Sequence, residues 1–200
     1  MTESYDFRVY LRRLGWGVLL GLLSGIGAFI FVALMDWGMR LVWPDPPSWE
    51  LFSGSWTIVV IMTTAGLLVG LIHHFADARQ MDVFEALDNG RLDPKPVPAS
   101  VLTSLVSLIG GFSLGPEVPT GMLSAGLGTW ISDRRQLDEE TSRTNVFSSV
   151  SAAYGGLFSS PFAALVMILE AKHMQTLMYY STLFIVGLAA SVGFAIFYVL

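Results

Sequence analysis

Cysteine is absent from this 200-residue chain, which excludes disulfides, thiolate chemistry and cysteine-ligated metal sites. Charge is also scarce: 14% of the residues are Asp, Glu, Lys or Arg, against roughly 25% in an average soluble domain. The net charge of −5 is spread over short loops with no basic tract, so nucleic-acid binding has no support. No lipid-anchor motif and no metal-ligand spacing is present, and we expect neither a metal nor a cofactor.

Apolar residues dominate what remains, with 53% of the composition and a mean hydropathy of +0.60. A membrane span needs about 20 apolar residues. Uncharged runs of that length are Leu14–Met35, Leu51–Ile72, Pro96–Pro116, Thr144–Leu169 and Met174–Leu200. Several runs contain glycine and proline, so the sequence predicts an all-α integral membrane protein with broken and tilted helices in a single transmembrane domain, residues 1–200. The first run is too long for a signal-peptide core, and we expect a retained helix.

The first span carries two sequence signals: basic residues that predict its orientation and glycines that predict a close contact with another helix. The arginines that cluster before it predict a cytoplasmic N-terminus in a multi-pass protein of the cell membrane: Arg8, Arg12 and Arg13. Glycines four residues apart share one helical face and let another helix approach closely. The sequence predicts such a face at Gly17, Gly21 and Gly25. The second span repeats this spacing at Gly66 and Gly70.

The most polar internal segment is Ala76–Pro98, in which we predict a solvated loop with a short amphipathic helix over Arg79–Leu87. The alternative is that this helix points its N-terminal amides into the protein, towards an anion. Before it, the tryptophan-rich and proline-rich stretch Asp36–Glu50 fits an interfacial loop without chemistry. Further on, Ser159-Ser160-Pro161 predicts that the run Thr144–Leu169 forms two short helices, because serine caps helices and proline suits their first position.

One carboxylate stands apart from all other charge: Glu117 is the only charged residue between positions 96 and 132. It lies in Gly110–Gly121 (GGFSLGPEVPTG), whose glycines and prolines follow the apolar segment Ala99–Leu114 and break the backbone beside the charge. A lone carboxylate is costly at membrane depth and usually faces a cavity or pathway. Broken backbone is tolerated there only where it lines protein or water. We therefore predict a functional role for Glu117.

The chemistry expected of Glu117 follows from its place before the half-length helix Thr120–Ser132. Free helix ends offer dipoles and unpaired amides to a substrate, so the backbone at Gly115, Val118 and Thr120 is the candidate anion site. A glutamate can occupy such a site as a tethered anion, bound when deprotonated and displaced by a proton or by abundant free anion. Glu117 would then be both gate and proton carrier. The competing interpretation is that Glu117 pairs with a buried base or caps the next helix.

The segment Gly110–Pro119 resembles the signature of the CLC chloride channel and transporter family, in which glycine, a basic residue, the gating glutamate, glycine and proline begin a helix. A second likeness lies in Ala152–Leu169, where FSSPFA is similar to the family's helix pair broken at a small residue plus proline. The form SLGPE is most similar to a divergent bacterial group of ion-transport proteins. The resemblance covers most of the chain and implies the first of two inverted repeats, with the second repeat not in this chain.

This resemblance implies a membrane channel or transporter for chloride or a similar anion, gated by Glu117, in a homodimer within the lipid bilayer. Two positions depart from the family pattern, since Pro116 stands where a basic residue is usual and Val118 where a second glycine is usual. The inner proton-accepting glutamate of the exchangers would fall at Ala171, next to Glu170, a possible inner-side acidic residue. We therefore expect a passive or differently coupled pathway.

Other classes of function stay open. A non-transporting membrane scaffold or assembly subunit would use its small-residue faces to bind other helices, and an inactive fragment of a longer transporter would carry no anion. The apolar end of the sequence favours a truncated chain or half of a longer protein; antiparallel assembly of two copies is the alternative. An intramembrane enzyme ranks last, because Ser159 and Ser160 have no evident base partner and the histidines at positions 73, 74 and 173 lie at span ends.

Overall fold

The computed structural model describes residues 7–43, 56–171 and 177–200. Its helices are α1 (Phe7–Val42), α2 (Trp56–Phe75), α3 (Val83–Asn89), α4 (Val97–Ile109), α5 (Glu117–Arg134), α6 (Glu139–Leu157), α7 (Pro161–Ala171) and α8 (Leu177–Val199). These ranges contain no strand, and helices α1, α2 and the Thr182–Val199 part of α8 are long and apolar enough to cross a membrane. The predicted all-α membrane fold is confirmed. The predicted interfacial loop Asp36–Glu50 is wrong over residues 36–42, which continue α1 without a break. Residues 44–50 of that loop and His173 lie outside the described residues.

Both predicted helix breaks are present. Helix α4 ends at Ile109 and α5 begins at Glu117, while α6 ends at Leu157 and α7 begins at Pro161. At the second break Ser160 accepts a hydrogen bond from the Ala163 amide at 3.2 Å, as expected of a serine before a helix-starting proline. The chain therefore breaks its helices where its sequence offers caps and breakers. Of the two short helices predicted in Thr144–Leu169 only α7 is short, because α6 begins after the Asp138 cap and runs for 19 residues.

Helices α1, α6 and α8 pack against one another at the centre of the described part. A side chain added at Gly21 of α1 would meet the Ala189 Cα of α8 at 3.2 Å, and one added at Gly25 would meet the Gly193 Cα at 3.1 Å. The predicted glycine face of α1 is confirmed as a close helix contact. Gly193 in turn lies against the backbone of Ala152 in α6, which brings the third helix into the same contact.

Helix α2 lies at the periphery and packs against α4, where Ala65 contacts Gly110. Ala65 is the only residue of α2 that is buried against described residues. The second glycine pair, Gly66 and Gly70, has no described atom within 4 Å of the position that a Cβ would occupy. The spacing of these glycines is therefore not used for a helix contact within the described part.

The short amphipathic helix is displaced from its predicted range of Arg79–Leu87 and spans Val83–Asn89. Asp82 is the reason: its Oδ1 atom accepts hydrogen bonds from the Phe84 amide at 2.8 Å and the Glu85 amide at 3.4 Å, which fixes the helix start. Residue 79 is held outside the helix by Ser100, whose hydroxyl accepts from its amide and donates to its carbonyl. A local capping group thus outweighs the apolar periodicity.

An ionic cluster ties the start of α1 to the start of α6. Arg13 donates to Glu140 at 2.6 and 2.8 Å and to the Thr141 hydroxyl at 3.1 Å, and it lies 3.3 Å from Asp138. Burial acts to raise the pKa of Asp138, but hydrogen bonds from Thr141 and the charge of Arg13 outweigh it and hold that pKa below its usual value. The N-terminal end of α1 and the α5–α6 loop therefore share one end of the molecule.

Candidate functional site

The break between α4 and α5 is built from glycine and braced by tryptophan. Gly111 has φ +84°, a conformation that favours glycine, and it turns the chain out of α4. The indole Nε1 of Trp43 donates to the carbonyl of Ile109 at 2.9 Å, and the Trp43 ring covers Gly111. This hydrogen bond satisfies one of the carbonyls that a helix C-terminus leaves without an intrahelical partner. Trp43 therefore fixes where α4 stops.

The start of α5 has an unusual set of backbone donors. A helix leaves its first amides without intrahelical partners. Pro116 and Pro119 have no amide hydrogen to offer, and the Thr120 amide already donates to the Pro116 carbonyl at 3.1 Å. Glu117 and Val118 are left as the amide donors of the first turn, and neither donates to another backbone group in the described ranges.

The carboxylate of Glu117 folds back over the turn that precedes its own helix. It occupies the space beside Gly115 so closely that a Cβ at that position would overlap Oε2 and lie 2.6 Å from Cδ. Only a glycine at 115 permits this conformation. The side chain is half-buried and forms no ion pair with any residue that the structure describes. The carboxylate thus lies at the positive end of α5 without a basic partner.

Tyr154 of α6 brings a hydroxyl to the same region. A Cβ on Gly121, one turn into α5, would touch the Tyr154 hydroxyl and would meet the side chain of Val83 at 3.0 Å. Tyr154 is 3% exposed, and the charges of Glu117 and Asp82 both act on it. The starts of α3 and α5 and the last turn of the buried helix α6 therefore meet around one phenol.

The remaining predicted site residues fall in different places. Val118 is 51% exposed in the first turn of α5. The hydroxyl of Thr120 donates to the carbonyls of Pro116 and Glu117 at 2.7 and 3.0 Å, so this residue is engaged within its own helix. Glu170 is exposed in the last turn of α7, nine residues after Pro161, and is therefore about 14 Å along the axis from the break that begins that helix.

Sequence reasoning missed three residues of this region, of which two had a recognisable local signal. Tyr154 is the single large polar side chain in a stretch of small residues, SSVSAAYGG. Asp82 stands three residues before Glu85, the spacing of a capping box. Trp43 had no local signal, because its contact with Ile109 joins residues 66 positions apart. The amides at the start of α3, considered above as anion donors, are occupied by Asp82.

The fold and this region define a class: a polytopic α-helical membrane protein whose helices break in apolar sequence beside a lone carboxylate. The comparisons with known proteins are more specific. The family model described as voltage gated chloride channel matches residues 63–200, more than half of the chain. The chain belongs to the voltage gated chloride channel family, which confirms the resemblance drawn from the motif.

Individual relatives are distant and longer. A protein named as ion-transport protein YfeO, from Escherichia coli (strain SMS-3-5 / SECEC), is 25% identical over 159 residues, covering 74% of this chain and 36% of the relative. A chloride/fluoride channel protein from Pseudomonas syringae pv. tomato is 25% identical over 175 residues, covering 84% of this chain and 36% of the relative. The chain therefore spans about a third of the length of these curated relatives.

Proposed function

We propose that this chain forms part of a membrane pathway for a small anion of the chloride type, with Glu117 as the gate of that pathway. Membership of the voltage gated chloride channel family supports the anion, as does the similarity to a chloride/fluoride channel protein. The observation that carries the proposal is the position of the Glu117 carboxylate, which folds back over the turn that precedes its own helix. A side chain there competes with a free anion for the same positive helix end.

The gate works by exchange between two anions at one place. The carboxylate lies over Gly115, just before the helix start at which the Glu117 and Val118 amides have no backbone acceptor in the described ranges. A proton on the carboxylate, or a free anion at high concentration, releases the side chain and opens the helix end to the permeating ion. Pro116 and Pro119 reduce the number of donors, so this site holds its anion weakly and favours passage over tight binding.

Tyr154 and Asp82 set the electrostatic character of this pathway. The Tyr154 hydroxyl is a neutral donor that a passing anion can use, whereas the Asp82 carboxylate at the start of α3 repels it. Glu170 is the inner-side acidic residue of the proposal, with Ala171 in place of the acid expected of a proton-coupled exchanger. This arrangement favours a passive or differently coupled pathway.

The surroundings of the pathway are part of the same proposal. The chain forms one transmembrane domain, corresponding to one inverted-repeat half, in the cell membrane. The arginines at the start of α1 support a cytoplasmic location for that end, by the positive-inside tendency. A homodimer with one pathway in each subunit is the assembly expected of the family.

Anion flux from liposomes reconstituted with the purified chain tests the gate, comparing the parent with Glu117→Gln and Glu117→Ala. Removing the tethered carboxylate takes away its attraction to the positive end of α5, worth up to about 2 kcal/mol, so we expect flux to rise by up to about thirtyfold. Both variants should also change the way in which flux depends on pH. Glu139→Gln is the matched control, because Glu139 occupies the same first helical position in α6 but is exposed.

Unchanged flux and unchanged pH dependence in both Glu117 variants would refute the gate while leaving a pathway in place. A parent protein that folds but carries no anion would instead favour the scaffold or the inactive fragment. An effect of Glu139→Gln as large as that of Glu117→Gln would show that surface charge, not the gate, controls the flux.

A further inference from the structure

An apolar groove of about 510 Å³ runs between the start of α4 and the second half of α5, away from Glu117. Its floor is the contact between Val97 and Gly126, where a Cβ on the glycine would meet the valine Cγ2 at 2.7 Å. Leu123, Leu127 and Trp130 form one wall, and the indole of Trp130 is 52% exposed. Such a volume lies within the range of about 300–1,000 Å³ that holds small ligands.

Positive charge borders one end of this groove. Lys95 lines it directly, just before α4 begins. Arg134 follows Trp130 by four residues and Leu127 by seven, so it lies on the same face of α5 one turn beyond the groove. Neither cation forms an ion pair with a carboxylate in the part of the chain that the structure describes. Both charges are therefore available to an external anion.

The position of the groove along the membrane normal follows from its neighbours. The guanidinium of Arg135 lies 6.0 Å from the ring of Trp16, and the α5–α6 loop contacts Arg13 through Asp138. The charged end of the groove is therefore at the same end of the molecule as the N-terminus of α1. Exposed tryptophan and basic side chains with long apolar stems are typical of the membrane–water interface.

We infer that this groove binds an anionic phospholipid, with an acyl chain along Leu123, Leu127 and Trp130 and the phosphate between Lys95 and Arg134. An open apolar groove suits a lipid tail, and the cations at its charged end, which form no ion pair in the described part, give the charge complementarity that selects an anionic headgroup. This inference does not depend on the anion pathway, and its test measures lipid retention and not flux.

Native mass spectrometry of the detergent-purified chain, titrated with phosphatidylglycerol or phosphatidylcholine, tests the site. We expect the parent to retain phosphatidylglycerol preferentially. Each of Lys95→Gln and Arg134→Gln should weaken that binding about fivefold, and the double variant about twenty-fivefold, since each basic residue near a membrane surface contributes comparably. Arg40→Gln, an exposed cation at the far end of α1, is the matched control and should leave retention unchanged.

Trp130→Ala separates the tail from the headgroup, because it removes one wall of the groove and leaves both cations. This variant should retain less phosphatidylglycerol than the parent, and it should not retain more phosphatidylcholine. Equal retention of the two lipids by the parent, or binding unaffected by the double variant, would overturn the inference. Binding of soluble glycerol phosphate as tight as that of phosphatidylglycerol would also overturn it, because the site would then recognise a free anion. A lipid-free dimer in which a second copy of the chain covers the groove would overturn it as well.

Discussion

The burial pattern of helices α6 and α2 is the reverse of that in a water-soluble protein. Polar residues are buried in α6, and apolar residues are exposed in α2. Every residue of α6 from Thr141 to Gly156 except Arg143 is buried, although most of the first half of this stretch is Thr, Ser or Asn. Helix α2 is mostly apolar, yet Ala65 is its only residue buried against the part of the chain that the structure describes. The most polar spanning-length helix is thus at the centre, and one of the most apolar is outside.

The difference shows what holds this protein together. Lipid tails are as apolar as leucine, so burying an apolar side chain between helices gains little in a membrane. Close packing of small residues and hydrogen bonds between helices replace the hydrophobic effect there. Helix α6 offers both, with Asn145 donating to Ser132 of α5 at 2.9 Å and Gly155 touching the backbone of α8. Helix α2 offers mainly a surface for lipid.

The largest difference in stability between the central helices and α2 is expected when a glycine is replaced by valine. Gly193→Val should prevent the close approach of α8 to α6, because a Cβ there would overlap the Ala152 carbonyl and lie 2.8 Å from its Cα. Backbone atoms cannot move aside as a flexible side chain can, so we expect a loss of about 3 kcal/mol or more. Thermal unfolding in detergent, followed by size-exclusion chromatography, measures the effect.

Gly66→Val makes the same chemical change on α2, where the Cβ position is open. It should leave the melting temperature of the described fold almost unchanged. A melting temperature of Gly193→Val equal to that of the parent would contradict the close α6–α8 contact. A large loss in Gly66→Val would mean that this face of α2 is covered by protein and not by lipid.

A smaller effect is expected where α6 is joined to α1 by charge. Arg13 has a side chain that is 15% exposed and holds two groups of α6 and its cap at once. Arg13→Ala should cost about 2 kcal/mol, the range expected of buried hydrogen bonds to charged groups. Arg12→Ala is the control: Arg12 is 55% exposed, makes one contact at 3.4 Å with Asp138, and should cost less than about 0.5 kcal/mol.

Urea-dependent or thermal unfolding of both arginine variants in the same detergent distinguishes them. Equal losses would mean that Arg13 contributes only as a surface charge. A loss in Arg13→Ala that persists in the Glu140→Ala background would show that the carboxylate is not its main partner, since coupled residues lose their interaction only once.

Much of the fold could be predicted because its signals are local. The break at Gly110–Gly111, the serine cap before Pro161 and the glycine face of α1 all depend on residues within one or two turns. The start of α3 was misplaced, because the pattern of apolar residues gave no weight to Asp82 as a cap. The peripheral place of α2 could not be predicted, since its glycine pair has the same spacing as the packed glycines of α1.

The candidate site divides in the same way. Glu117 could be identified as a lone charge in broken apolar sequence, and the family match is consistent with the motif around it. Its neighbours depend on contacts between distant segments: Tyr154 reaches Gly121 across the α5–α6 packing, and Trp43 reaches Ile109 from the end of α1. Sequence spacing carries no information about such pairs until the helices are assembled.

The smallest expected effect concerns the charge at the start of α6. The pKa of Asp138 lies below its ordinary value of 3.8 in the folded protein, because Thr141 and Arg13 outweigh the effect of burial. A lowered folded-state pKa means that this carboxylate stabilises the fold fully above its unfolded pKa and loses that contribution as pH falls towards the folded pKa. The side chain is 46% exposed, so screening limits the contribution to less than about 1 kcal/mol.

Asp138→Asn isolates this charge, since asparagine caps a helix as well as aspartate and keeps an oxygen for the Thr141 amide. The parent should be slightly more stable than the variant at pH 6, and the difference should vanish as pH falls from about 5 to below 3.8. Melting curves of the two proteins across that range give the difference directly, because all other carboxylates titrate in both. A constant difference would assign the role of Asp138 to its hydrogen bonds alone, and a difference that grows on acidification would reverse the sign of the linkage. Either result would leave the buried serines and glycines of α6, and not its charged end, as the reason that this polar helix lies at the centre.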